Sequence, residues 1–268
     1  MKGYKALFAI TGTPFSKGLP VQALLRYDQF LELAEYAAYV AEEGSVGLVT
    51  GEIGAGKSTA MRAFMETLDD RRYHVCCVGN TDATRSVFRQ LAWSFGMRAA
   101  HLKGDLKDEV HARINAMWVE HSKRTILIVD EAQALGIPAL QELRLLTNFN
   151  CDSQSPLGLM LVGQPQLRAQ LKEIPNEALD QRIMVRYHLA GLSLAETTSY
   201  IEAHLAAVDA NPGVFTKEAI ALIFQQSKGL PRRINKIAIQ SLIKAGHKEI
   251  NPIDETLVAA VIKDIAQE

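Results

Sequence analysis

Cysteine is scarce in this chain: Cys76, Cys77 and Cys151 are the only three among 268 residues. No two have C-x-x-C spacing, so neither a zinc site nor a disulfide framework is encoded. The three are expected to be small buried apolar groups in a reducing compartment. An excess of charge of either sign is missing as well. The 29 Lys and Arg nearly balance the 30 Asp and Glu, for a formal net charge of −1. No global field draws such a chain to nucleic acid or membrane, and any polyanion-binding surface must be a local patch. Long apolar runs are absent: "LGLMLVG" and its like fall far short of the roughly 18 residues that a membrane helix needs. The opening "MKGYKALFAITGTP" is too short in its apolar stretch for a secretory leader and shows no cleavage site. A cytoplasmic protein without a membrane partner is expected. The seven histidines form no H-E-x-x-H or metal triad, and no G-x-S-x-G nucleophile turn occurs, so no transition metal is assigned. Trp93 and Trp118 fall in apolar helical patterns and read as packing residues.

What is present is an alternation. "VGLVTG" (46–51), "YHVCCVGN" (73–80), "TILIVDEA" (125–132), "LGLMLVGQP" (157–165) and "VRYHLAG" (185–191) are short and rich in Val, Ile and Leu. Most are apolar throughout, as buried parallel strands are. Helical patterns such as "KSTAMRAFMETL" and "PALQELRLLTNF" lie between them. The alternation predicts an α/β fold with a parallel sheet and right-handed crossovers. After residue 191 the strand signal stops. Ser193 with Glu196 three residues on is a capping-box pattern, and Pro231 stands at a plausible first helical position. A nucleotide-binding domain over 1–191 and a small helical domain over 192–268 are expected.

Two motifs carry chemistry. "GEIGAGKST" (51–59) matches the phosphate loop G-x-x-x-x-G-K-[ST], with an apolar strand before it and a helix pattern after it. Gly51, Gly54 and Gly56 let backbone N–H groups turn toward phosphates, together with Glu52, Ile53, Ala55 and Thr59 of the same loop. Lys57 would reach the β- and γ-phosphates and Ser58 would hold Mg²⁺. "ILIVDEA" places Asp130 and Glu131 at a strand end. Asp130 suits a Mg²⁺ ligand, and Glu131 suits a base that polarises water for attack on the γ-phosphate. A small-molecule kinase has no need of that second acid, so hydrolysis is expected. "EALDQRIMVRYHL" puts Arg182 before the fifth strand and Arg186 within it, and "GLPRRIN" puts Arg232 and Arg233 at a helix start. Each has a nucleotide-sensing reading beside a plain surface reading.

Together "LVTGEIGAGKST", "ILIVDEAQAL", "LQELRLLTNF", "LGLMLVGQPQLRAQL", "QRIMVRYHL" and "GLPRRIN" resemble the AAA+ ATPases, specifically the ExeA/GspA-type subgroup with which the TnsC and TniB transposition ATPases are grouped. The resemblance implies a sheet of order 5-1-4-3-2 followed by an α-helical lid. It also implies ATP and Mg²⁺ as cofactors, and assembly with copies of itself into rings or filaments. It makes Lys57 and Ser58 the Walker A residues and Asp130 with Glu131 the Walker B pair. Asn80 matches the polar residue that restrains the catalytic glutamate, and Gln164 stands at the sensor 1 position. Arg182, then Arg186, match the finger, and Arg232 matches sensor 2. Pro14 and Phe15 lie where relatives wrap the adenine.

The compact length and the opening "TPFSKGLPVQALL" resemble the stand-alone members that bind DNA and recruit or activate a transposase. The expected function is therefore an ATP-dependent DNA-binding ATPase that directs a transposase. The alternative is an ExeA-like ATPase assisting assembly of a secretion or envelope complex. A module that uses ATP as a mere structural ligand is a third reading, against which Glu131 stands. For DNA, Arg233, Lys236, Gln240, Lys244 and His247 share one helix face, and Arg85, Arg89, Arg98, Lys103 and Lys107 form a second basic cluster. Each also reads as a solvated helix face. No sequence-reading module is present, so duplex DNA would be held by its backbone, largely independently of sequence.

Overall fold

A computed structural model describes residues 3–16, 27–79, 84–97, 103–150 and 153–267. These fall into two compact units. One comprises Gln29–Gly51 and Lys57–Leu189; the other comprises the described parts of Met1–Asp28, Glu52–Gly56 and Ala190–Glu268.

The first unit is built on five strands: β1 (Val46–Gly51), β2 (Tyr73–Val78), β3 (Arg124–Val129), β4 (Leu157–Gly163) and β5 (Ile183–Leu189). All pairings are parallel and the order is β2-β3-β4-β1-β5, the expected 5-1-4-3-2 seen from its other edge. The inner strands β1 and β4 are buried at every residue, which is why their sequences are continuous apolar runs. The outer strand β5 alternates, and Met184, Arg186 and His188 face outward. The same edge position explains a difference at β2. Cys76 is buried as expected, but Cys77 is exposed. Although its side chain reaches solvent, partial desolvation by the packed strand around it, and secondarily the Asp130 carboxylate, push the Cys77 thiol pKa up, which favours the protonated thiol.

Helices α2 (Asp28–Glu43), α3 (Lys57–Thr67), α4 (Thr84–Ser94), α5 (Lys103–His121) and α6 (Ile137–Leu146) flank these strands in sequence, and α1 (Tyr4–Leu7) opens the described chain. Apolar residues at helical spacing bury α2 through Phe30, Leu33, Ala37 and Val40. One expectation fails on α4. Val87, Phe88, Leu91 and Ala92 enter the core, and Trp93, on the opposite face, is left 59% exposed. Trp118 on α5 is half-buried beneath the Arg124 guanidinium, which sits 4.6 Å from its ring.

Two short helices follow, α7 (Gln166–Leu171) and α8 (Glu177–Asp180). The remaining four are α9 (Leu194–Ala206), α10 (Lys217–Ser227), α11 (Pro231–Lys248) and α12 (Glu255–Ile265). The capping box that opens α9 forms as read: Glu196 N–H donates to Ser193 Oγ and Ser193 N–H donates to the Glu196 carboxylate. Thr216 and Asp254 cap α10 and α12 in the same manner, and Pro231 occupies the first turn of α11. The inward stripe of α9 is Thr197, Tyr200, Ile201, His204 and Leu205. His204 is an unusual member of that stripe. Its ring stacks on Phe15 at 4.9 Å and tilts against Tyr200 at 4.4 Å, and among the described residues neither ring nitrogen has a hydrogen-bond partner. Burial alone pushes its pKa down to about 4. The N-terminal segment reaches this unit through Thr11, whose hydroxyl donates to the Asp209 carboxylate at 2.7 Å.

Candidate nucleotide site

β1 delivers the chain to Gly51, and α3 begins at Lys57, so residues 52–56 make a strand-to-helix loop whose N–H groups gather at a helix start. Gly54 (φ 84°) and Gly56 (φ 103°) hold left-handed backbone that an L side chain rarely adopts. At Gly54 a Cβ would also lie 2.6 Å from Arg232 Cβ, because Arg232 N–H donates to the Gly54 carbonyl at 3.2 Å. The expected sensor residue is thus attached to the loop by its backbone. Glu52 and Ile53 are exposed at the loop, whereas Ala55 is buried and Thr59 half-buried. Lys57 is only 5% exposed, and its ammonium donates to the Gly51 carbonyl at 2.8 Å.

β3 brings the acids. Asp130 N–H bonds the Val78 carbonyl at 2.7 Å, which fixes the strand end, and Ser58 Oγ donates to Asp130 Oδ2 at 2.6 Å. The two motifs read from sequence therefore meet side chain to side chain across 72 residues. Glu131 follows in left-handed backbone (φ 55°), with its N–H on Asp130 Oδ1. Its carboxylate Oε2 accepts from Gln133 Nε2 at 2.6 Å and from Gln164 Nε2 at 3.4 Å. Gln164 stands at the end of β4, where sensor 1 was expected, and touches the glutamate directly. Gln133 was not singled out from the sequence. The only signal was a glutamine two positions after an acid at a strand end, in "DEAQ".

Ser58 and Asp130 supply hard oxygen donors, the kind Mg²⁺ takes along with water and phosphate oxygens. Among the described residues no group of three or more His, Cys, Asp or Glu could hold a metal by itself. The donor set therefore fits a Mg²⁺ completed by a nucleotide's phosphates.

The two finger candidates, Arg182 and Arg186, lie elsewhere. Arg182 donates to Thr147 Oγ1 at 3.1 Å, and Arg186 is ion-paired with Asp180 at 3.0 Å. Arg182 immediately precedes β5, whereas the far end of that strand, Leu189, is the register partner of Gly51. Seven residues of extended chain, roughly 20 Å, separate Arg182 from the level of the loop. Pro14 and Phe15 are buried, with Phe15 against His204. Asn80 lies outside the described residues, as do Arg98 and the side chains of Arg85 and Lys103. Of the second basic cluster, Arg89 is half-buried and Lys107 is ion-paired with Glu142. On α11, Arg233, Lys236 and His247 are exposed opposite the buried Ile234, Ile237 and Leu242. Lys244 is ion-paired with Asp264 at 2.6 Å, so part of that stripe is neutralised.

A parallel sheet of this order, a phosphate loop after β1 and an acid pair after β3 define a P-loop nucleotide-binding domain. Residues 40–171 match the family model of the AAA domain, and the chain carries that domain. It is 30% identical over 99% of its length to general secretion pathway protein A of Aeromonas hydrophila, and spans 49% of that protein. It is 27% identical over 47% of its length to the ATP-dependent target DNA activator B of Escherichia phage Mu, covering 37% of it. In fold it is similar to the ORC2 protein of Aeropyrum pernix solved with ADPNP and ADP, with a TM-score of 0.71 at 17% identity, over 93% of this chain and 70% of that one. The chain thus spans about half, or less, of the curated relatives it matches. Among the described residues, no helix is long and apolar enough to cross a membrane.

Proposed function

We propose that this chain is a Mg²⁺-dependent ATPase that assembles with copies of itself on duplex DNA and recruits or activates a transposase there. The observation that carries the hydrolase part is the Ser58–Asp130 contact at 2.6 Å with Glu131 next in line. The loop amides, Lys57 and Arg232 hold the triphosphate, and Ser58 with Asp130 hold Mg²⁺, which neutralises phosphate charge when bound. Glu131 takes a proton from the attacking water, and Gln164 beside it senses the γ-phosphate. Arg182 completes the site of a neighbouring copy. Its place at the opposite end of β5 from Leu189 supports action in trans, because its own loop is roughly 20 Å away. Arg186 is the second candidate, but its guanidinium would first have to leave Asp180. The relative from phage Mu, named for ATP-dependent activation of target DNA, supports the DNA part. The exposed Arg233, Lys236 and His247 of α11 supply a face for phosphates.

A second reading, ATP-driven assembly of a secretion or envelope complex, is favoured by one observation: similarity to general secretion pathway protein A extends over 99% of the chain. One experiment separates the two. Purified protein is titrated with random-sequence duplex DNA in ATP, a slowly hydrolysed analogue, ADP or no nucleotide, across a salt series, while phosphate release is followed. ATP-dependent binding that weakens steeply with salt is expected. Phosphate release without DNA binding in any nucleotide state would transfer the assignment to the secretion reading.

A further inference from the structure

We propose that Gln133 is the positioning residue for Glu131, a rigid bracket that ties the base to the end of β4. The inference rests on the hydrolase reading above and adds a residue to that site.

The Gln133 side-chain amide is engaged at both ends. Its Nε2 donates to Glu131 Oε2 at 2.6 Å, and its Oε1 accepts the Gln164 backbone N–H at 3.0 Å. The two partners fix which end is which. A flipped amide would set oxygen against a carboxylate and N–H against N–H, so only one orientation is bonded. Gln164 Nε2 approaches the same Glu131 oxygen at 3.4 Å. Both donors therefore fall on Oε2, which leaves Oε1 to accept a proton from water.

Two independent features show that the surroundings are shaped around this bracket. Glu131 holds φ 55°, a left-handed conformation that costs a non-glycine residue about 1–3 kcal/mol unless its surroundings over-determine it. At the end of β4, a Cβ on Gly163 would lie 2.6 Å from Gln133 Oε1 and 2.9 Å from Leu167 Cδ2. A side chain at 163 and the bracket are mutually exclusive. A shift of the β4 end therefore reaches Glu131 through the Gln133 amide, beside the longer direct contact from the Gln164 side chain.

Gln133→Met keeps the chain length and removes the amide; Gln133→Ala is the second variant. The wild-type and variant chains are compared in steady-state ATP hydrolysis, with nucleotide binding measured separately. Loss of a charge-assisted hydrogen bond predicts a fall in kcat of roughly 10- to 100-fold, with KM for ATP and affinity unchanged. In a chain already carrying Glu131→Ala, measured under single-turnover conditions, adding Gln133→Met should cost less than about twofold, because the bracket acts only through that carboxylate. Hydrogen exchange at the Gln164 backbone amide should quicken by roughly tenfold or more in both single Gln133 variants. A kcat within twofold of wild type in both, independent losses in the double variant, or unchanged Gln164 exchange would each overturn the bracket. Wild-type protein that binds ATP and releases no phosphate would overturn the hydrolase reading instead. The Gln164 exchange measurement judges the bracket in either case.

Discussion

Acid should destabilise the helical unit through His204. The imidazole is 1% exposed and neither nitrogen has a hydrogen-bond partner among the described residues, so charging it inside the fold is unfavourable, and its pKa falls from 6.5 to about 4. In the unfolded chain the same ring titrates near 6.5. Between these two values the unfolded state binds the proton that the folded state refuses, so stability must fall as pH falls through that window. Well above pH 6.5 both states are neutral and the group has no effect on the slope. Lowering the pKa from 6.5 to about 4 corresponds to roughly 3 kcal/mol lost between those pH values, or about 6–12 °C in thermal midpoint. Urea unfolding followed by circular dichroism at pH 7, 6, 5 and 4 would read this directly. His204→Phe keeps a ring against Phe15 and Tyr200 and has nothing to titrate. It should be more stable than wild type at pH 7, by about 1–3 kcal/mol, because an unpaired buried polar group is gone. It should also lose about 3 kcal/mol less on acidification. Carboxylates such as Asp254, held low by the hydrogen bonds of its helix cap, titrate alike in both proteins. If wild type and variant lost the same stability over that range, His204 would not be the neutral buried group described here.

Gly54→Ala should weaken ATP binding by at least about tenfold while leaving far-ultraviolet circular dichroism unchanged, since its Cβ meets Arg232 and its φ is left-handed; a fluorescent-nucleotide titration would read it. Arg182→Ala should cut hydrolysis by roughly 10³-fold and leave ATP binding by single subunits intact. Full turnover in that variant would remove Arg182 from the site. Ser193→Ala removes one half of the α9 capping box and should cost about 1 kcal/mol in urea unfolding, with no change in hydrolysis.

Where local pattern decides structure, the sequence was readable. Continuous apolar runs marked the buried strands, the Ser193–Glu196 spacing marked a helix start, and "GEIGAGKST" and "ILIVDEA" marked residues that prove to touch. Strand order followed from the family resemblance rather than from any local signal. Long-range packing was harder to see. Thr11 bonds Asp209, 198 positions away, so the first residues group with the last helices. Trp93 fits an apolar pattern but falls on the outer face of α4, because its neighbours Val87, Phe88, Leu91 and Ala92 claim the core. Gln133 was hidden for a related reason. Its role depends on the register that sets the β4 end beside β3, and on the space left by Gly163, neither of which has a linear signature.

The separation of Arg182 from Gly51 along β5 would give a head-to-tail assembly a direction. If Arg182 serves a neighbour's loop and the subunits join head to tail, the contact is heterologous, with a loop at one face and an arginine at the other. In a closed ring every loop then meets an arginine. In an open filament one terminal subunit always has a loop that meets none. That subunit would keep its ATP while those behind it hydrolyse theirs, so the filament would carry a permanent cap at one end and lose subunits only from the other.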